Sequence, residues 1–188
     1  MDADLRIDRC FAADYSISVA AELPPSGQEV IRFKHGATGV PTSGLDGPLI
    51  RIEPKGAPPW LAIFGGGYSG SGVVNAIFTT PSPTVLCIVH KGAGFLVNTR
   101  DRTKQDVPVF PVRQVLSLDP LLVFADLVKV AVCGAEGIEW VSKPLVSDKL
   151  SITKSHERDI LRCRGLDAAT QTDMEVALDL RTRRVVRS

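Results

Sequence analysis

Short runs in which apolar and polar residues alternate recur along this chain. Tyr15-Ser16-Ile17-Ser18-Val19 and Glu29-Val30-Ile31-Arg32-Phe33 both repeat with a period near two, the spacing of a strand with one face in the core and one in water. Between them Leu23-Pro24-Pro25-Ser26-Gly27 is a turn signal, because proline presets φ and glycine reaches positive φ without a steric penalty. Residues 35–48 hold four glycines and two prolines and read as a loop. Further on, Leu121–Phe124 and Leu127–Cys133 are apolar runs rich in β-branched residues, and Gly134-Ala135-Glu136-Gly137 leads from them into Ile138–Val141. That order is hairpin grammar. Ile160–Cys163 and Val176–Leu180 continue it across a polar connection at 165–175. A helix is conceivable only around 112–118, where the period does not support one. The pattern predicts an all-β protein of antiparallel meanders with little helix, packed as a propeller-like or a two-sheet sandwich or barrel arrangement.

The middle of the chain differs. From Gly56 to His90, 35 residues pass without an Asp, Glu, Lys or Arg, although 23% of the chain is charged. Prolines at 58, 59, 81 and 83 and the glycines at 65–72 interrupt the apolar stretch too often for a membrane helix of about 20 residues. Two readings remain. Trp60–Phe64, Val73–Thr79 and Val85–Val89 are central strands buried on both faces, or they form an exposed apolar face for a partner chain.

A weak internal period accompanies the meanders: Leu86, Leu122 and Leu161 open comparable units 36 and 39 residues apart, a spacing seen in β-propeller blades. Ala177, Asp179 and Thr182 match the Ala-x-Asp-x-x-Thr-Gly…Trp motif of quinoprotein-type propeller repeats, with Arg183 at the glycine position and Arg187 at the tryptophan position. Gly137 and Trp140 are similar to the end of the same motif one unit earlier. The last hundred residues or so thus resemble such repeats, and the general run resembles uncharacterised bacterial β-rich proteins. The resemblance implies a scaffold of docked sheets. It does not imply the quinone cofactor, since enzymes that carry it use more blades than the four this length could supply.

At 188 residues, 20.2 kDa and 44% hydrophobic content, the chain fits one domain, with 1–55 as an N-terminal accessory portion, and can bury about 70% of its unfolded surface. With 22 basic and 21 acidic residues, no global field calls for nucleic acid or an anionic membrane. The acidic N-terminus shows no cationic region followed by an apolar run, so the expected location is cytoplasmic. Cys10, Cys87, Cys133 and Cys163 are too widely spaced for a structural zinc site and read as buried free thiols.

Candidate chemistry gathers at Gly65-Gly66-Gly67-Tyr68-Ser69-Gly70-Ser71-Gly72. Gly65, Gly67 and Gly70 fit the dinucleotide fingerprint, but that fingerprint needs a helix N-terminus at the pyrophosphate and an acid about 20 residues on. Neither follows here, so a bend between strands is favoured. Ser69 and Ser71 miss the Gly-x-Ser-x-Gly elbow by one residue. A serine would need His35, His90 or His156 as base, oriented by an acid such as Asp126 or Asp179, and His90 at the end of an apolar strand is the best placed. The three histidines could converge on a metal only through the fold. Arg181, Arg183, Arg184 and Arg187 carry no interleaved aromatic for base stacking and read as the charged edge of a final strand. Asn98–Lys104 reads as a polar hairpin end.

The function expected from these features is a non-enzymatic, protein-binding accessory or adaptor domain without cofactor or metal, contacting a partner through Trp60, Phe64, Tyr68 and Phe78. The alternative is a small-molecule binder or hydrolase whose site lies by the glycine loop and uses Ser69 or His90.

Overall fold

The computed structural model describes residues 5–24, 27, 29–36, 47–68, 70–157 and 159–186. Strands begin with β1 (Arg6–Asp8), β2 (Tyr15–Ala20), β3 (Val30–Lys34), β4 (Leu49–Pro54) and β5 (Trp60–Gly65). Next come β6 (Ala76–Thr79), β7 (Val85–His90), β8 (Ala93–Asn98) and β9 (Lys104–Asp106). Two further meanders follow: β10 (Gln114–Leu118), β11 (Leu121–Ala125), β12 (Val130–Gly134) and β13 (Gly137–Val141), then β14 (Asp148–Lys154), β15 (Ile160–Leu166), β16 (Asp173–Asp179) and β17 (Arg184–Val186). The protein is all-β, and the 112–118 segment holds strand β10 at Gln114–Leu118 instead of a helix.

These strands make four sheets. Sheet I has the order β2-β4-β5-β3, sheet II β1-β6-β7-β8-β9, sheet III β10 to β13 and sheet IV β14 to β17. Neighbours are antiparallel except β3 beside β5 and β1 beside β6. Because β4 pairs with β5, residues before and after position 55 share one sheet.

Side-chain alternation stacks the sheets in series. Phe33, Ile50, Ile52 and Phe64 of sheet I meet Leu86, Ile88 and Phe95 of sheet II in one core. The opposite face of sheet II, with Phe78, Cys87 and Val89, meets Leu122 and Phe124 of sheet III. Val123, Ala125 and Val132 on the other face of sheet III then pack on Ile152, Leu161 and Leu178 of sheet IV. The result is a sandwich-like series of four layers, none closed into a barrel among the described residues.

Burial on both faces explains much of the uncharged centre. β5, β6 and most of β7 are buried residue after residue, and a charge at any of those positions would be desolvated without a partner. The connecting residues 66–68 and 70–75 are partly or fully exposed, so burial accounts for the strands and not for that loop.

The motif residues near the end form a turn. Asp179 Oδ1 accepts the N–H groups of Arg181 at 2.8 Å and Thr182 at 2.9 Å, and Arg183 sits at φ +59°. Asp167 does the same for Ala169 and Thr170, with Gln171 at φ +55°. Asn98 repeats it with Arg100, Asp101 and Arg102. Three hairpins thus use one side-chain-capped turn that ends in a left-handed residue, and the third of them, at Asn98–Arg102, lies in sheet II and carries none of the motif's residues.

Candidate functional site

Past Gly65 the chain runs along the β7–β8 hairpin before entering β6. That hairpin turns through Lys91 and Gly92 at φ +47° and +76°, the mirror-image turn that matches strand twist. Tyr68 donates its backbone N–H to the Lys91 carbonyl at 2.7 Å. Gly67 lies so close to the turn that a Cβ there would collide with Lys91 Cβ, and a Cβ on Gly70 would meet the Tyr68 ring. Beyond them Val74 donates its N–H to the Val112 carbonyl at 3.0 Å, Val112 to Gly92 at 2.8 Å and Gly92 to Val74 at 2.9 Å. The glycines therefore serve close backbone packing. The next element is strand β6, which leaves the dinucleotide reading without its helix.

His90 ends β7 and is buried. Its Nδ1 lies 3.1 Å from Asn75 Oδ1, and the same oxygen accepts the Lys91 N–H at 3.4 Å. The imidazole thus ties the base of the glycine loop to the hairpin. Ser69, the other half of the catalytic alternative, lies outside the described residues, as does Arg187.

The expected contact residues separate into two groups. Trp60 is 5% exposed, Phe64 0% and Phe78 2%. Trp60 donates its indole N–H to the Thr99 carbonyl at 2.9 Å. Phe64 packs on Phe33 and Phe95 with ring centroids 5.3 and 5.4 Å away. These three are core side chains, and the contact role expected for them is corrected: within the strands, the uncharged run marks burial. Tyr68 is 47% exposed.

The histidines do not converge. His35 lies at the junction of sheets I and II, His90 under the glycine loop, and His156 on the β14–β15 connection beside a cleft of about 320 Å³. Among the described residues, no cluster of His, Cys, Asp and Glu is placed to hold a metal. Cys87, Cys133 and Cys163 are buried free thiols; burial pushes Cys133 and Cys163 up to about 12 and Cys87 well above its ordinary value. Cys10 is only partly buried, with its Sγ 2.9 Å from Asp8 Oδ1. Arg183 bonds Glu139 Oε2 at 2.9 Å and so bridges sheets III and IV at their edge. Among the described residues, no helix is long and apolar enough to cross a membrane.

No protein-family model matches the chain, and no curated protein does. Its site is read from geometry alone.

Sequence reasoning missed the surroundings of His35. Phe95, Phe110, Lys104 and Asp106 converge on it from about 60–75 positions away along the chain, and no local pattern marks such a contact.

Proposed function

We propose that this chain is a non-enzymatic binding domain that engages a partner protein through the face around Tyr68. One observation carries the reading: a nearly half-exposed tyrosine stands on a loop whose backbone is fastened to a rigid hairpin. A tyrosine held in advance offers large amphipathic contact area at little cost in side-chain entropy. Arg113, whose guanidinium lies against Gly72, supplies a second residue type common at interface centres. The stacked sheets act as the scaffold beneath.

The test uses the full chain as bait in extracts of its native cell, comparing wild type with Tyr68→Ala and Tyr68→Phe. A partner retained by wild type and Phe and weakened by about 2 kcal/mol or more in Ala supports the reading. Labelling by a serine-reactive phosphonate that vanishes in Ser69→Ala overturns it in favour of a hydrolase.

A further inference from the structure

His35 follows β3 directly and is 4% exposed. Phe110 stacks on its ring at 5.2 Å and 27°, and Phe95 meets it edge-on at 5.6 Å and 87°. Neither ring nitrogen completes a hydrogen bond of good geometry, although the Val107 backbone lies near enough to favour a proton on the ring. A buried polar atom in that condition is tolerated far better neutral than charged, so the ring packs here as an aromatic plate.

Around this slot, side chains fasten sheet I to sheet II. Asp106 Oδ2 accepts the N–H of Gly36 at 2.9 Å. The Lys104 ammonium sits between Asp106 Oδ1 at 2.5 Å and the Lys34 carbonyl at 2.6 Å, and 5.7 Å over the Phe95 ring. His35 donates its backbone N–H to the Gly65 carbonyl at 3.3 Å. The end of β3 is thus held to β5 by backbone and to β9 by side chains.

We infer that His35 is a proton-sensitive latch: neutral, its ring fills the slot between Phe95 and Phe110, and once protonated it leaves the slot and releases the Gly36–Asp106 bond. The charges that face it decide the direction. Burial opposes an imidazolium most strongly, whereas Asp106 would welcome one and so, to a smaller degree than Asp106, would the Val107 backbone. Yet Asp106 is already shared by Lys104 and Gly36, the Lys104 ammonium repels a second cation, and burial between two phenyl rings outweighs the rest. The folded ring therefore takes up a proton less readily than a free imidazole. Its packing is intact above the free-imidazole range near pH 6.5 and weakens as the pH falls below it.

The test follows the imidazole resonances of His35 by NMR, with His156 as internal reference, together with hydrogen exchange at the Gly36 amide from pH 7.5 to 5. Gly36 protection, corrected for intrinsic exchange, should fall roughly tenfold for each pH unit by which His35 titrates below a free imidazole. In His35→Phe, which keeps an aromatic plate without a proton site, protection should stay flat. Constant Gly36 protection in wild type overturns the latch, as does an equal fall in the Phe variant. Should that variant not fold, wild type alone decides: a ring that titrates with no change at Gly36 is no latch.

Discussion

Strand β7 of sheet II reads Val-Leu-Cys-Ile-Val-His, and strand β15 of sheet IV reads Ile-Leu-Arg-Cys-Arg-Gly-Leu. Both are single strands of four- or five-stranded sheets, yet one is buried nearly throughout and the other alternates buried with exposed. The difference is position in the stack. Sheet II has a neighbour on each face, so every side chain of β7 meets a core. Sheet IV has one neighbour, and Arg162 and Arg164 face outward while Leu161 and Cys163 face in. For these two strands the period follows the layer's place in the stack, although β5 in the centre of the outer sheet I is buried throughout as well.

The sharpest way to break this comparison is truncation on the two kinds of face. Phe124, fully buried between sheets II and III, should cost about 3–5 kcal/mol when changed to Ala. Arg164→Ala on the outward face of sheet IV should stay within about 0.5 kcal/mol. Urea unfolding at neutral pH measures both, and similar losses at the two positions would show that the layers are not distinguished by burial.

That contrast also marks what was legible in the sequence. Alternation located β2, β3 and β15, and the absence of charge located β5 to β7, because both signals act within a few residues. Long-range arrangement was not legible. Nothing near Val30–Lys34 says that β3 runs parallel to β5 at the far edge of sheet I, or that Gly36 will meet Asp106 seventy positions away. Trp60, Phe64 and Phe78 illustrate the limit, because an apolar run looks the same in sequence whether a neighbouring sheet or a partner covers it. The exposure of Tyr68 depends on how the loop lies against the hairpin, a contact between distant positions that no local pattern marks.

A second, smaller effect concerns that loop. Gly67→Ala forces a methyl against Lys91, and overpacking of this kind costs about 1–3 kcal/mol. The same urea titration checks the cost. If Gly67→Ala is neutral, the loop is looser than its close approach to the hairpin implies, and the rigid mounting of Tyr68 fails with it.

The thiols sharpen the interior and surface distinction by chemistry. Cys10 should react with a thiol reagent in the native protein, whereas Cys87, Cys133 and Cys163 should wait for unfolding. Burial holds the Cys133 and Cys163 thiols up at about 12 when folded, against an ordinary thiol value of 9.0 when unfolded. The unfolded chain therefore loses protons first as pH rises, and stability should decline from about pH 9 toward 12. Cys163→Ala should make that decline shallower, as read by urea midpoints across the range. An unchanged slope would place the alkaline sensitivity elsewhere.

The smallest expected effect lies in the capped turns, where the terminal layers show local strain. Gln171 holds φ +55°, a conformation that costs a side-chain-bearing residue about 1–2 kcal/mol. Its backbone is well fixed, since its N–H reaches the Asp167 carbonyl at 3.1 Å and Asp167 bonds Thr172 in return at 2.9 Å. Gln171→Gly removes the strain but adds freedom to the unfolded chain worth about 0.5–1 kcal/mol, and it gives up an exposed side-chain bond to Ala168. The net expectation is a stabilisation between about 0 and 1.5 kcal/mol, set by the difference of those two figures. Gly at 171 should raise the urea midpoint without changing the slope of the transition. A lower midpoint would mean that Gln171 contributes more through its side chain than its backbone loses, and the shared turn would then owe its stability to that bond as much as to the Asp167 cap.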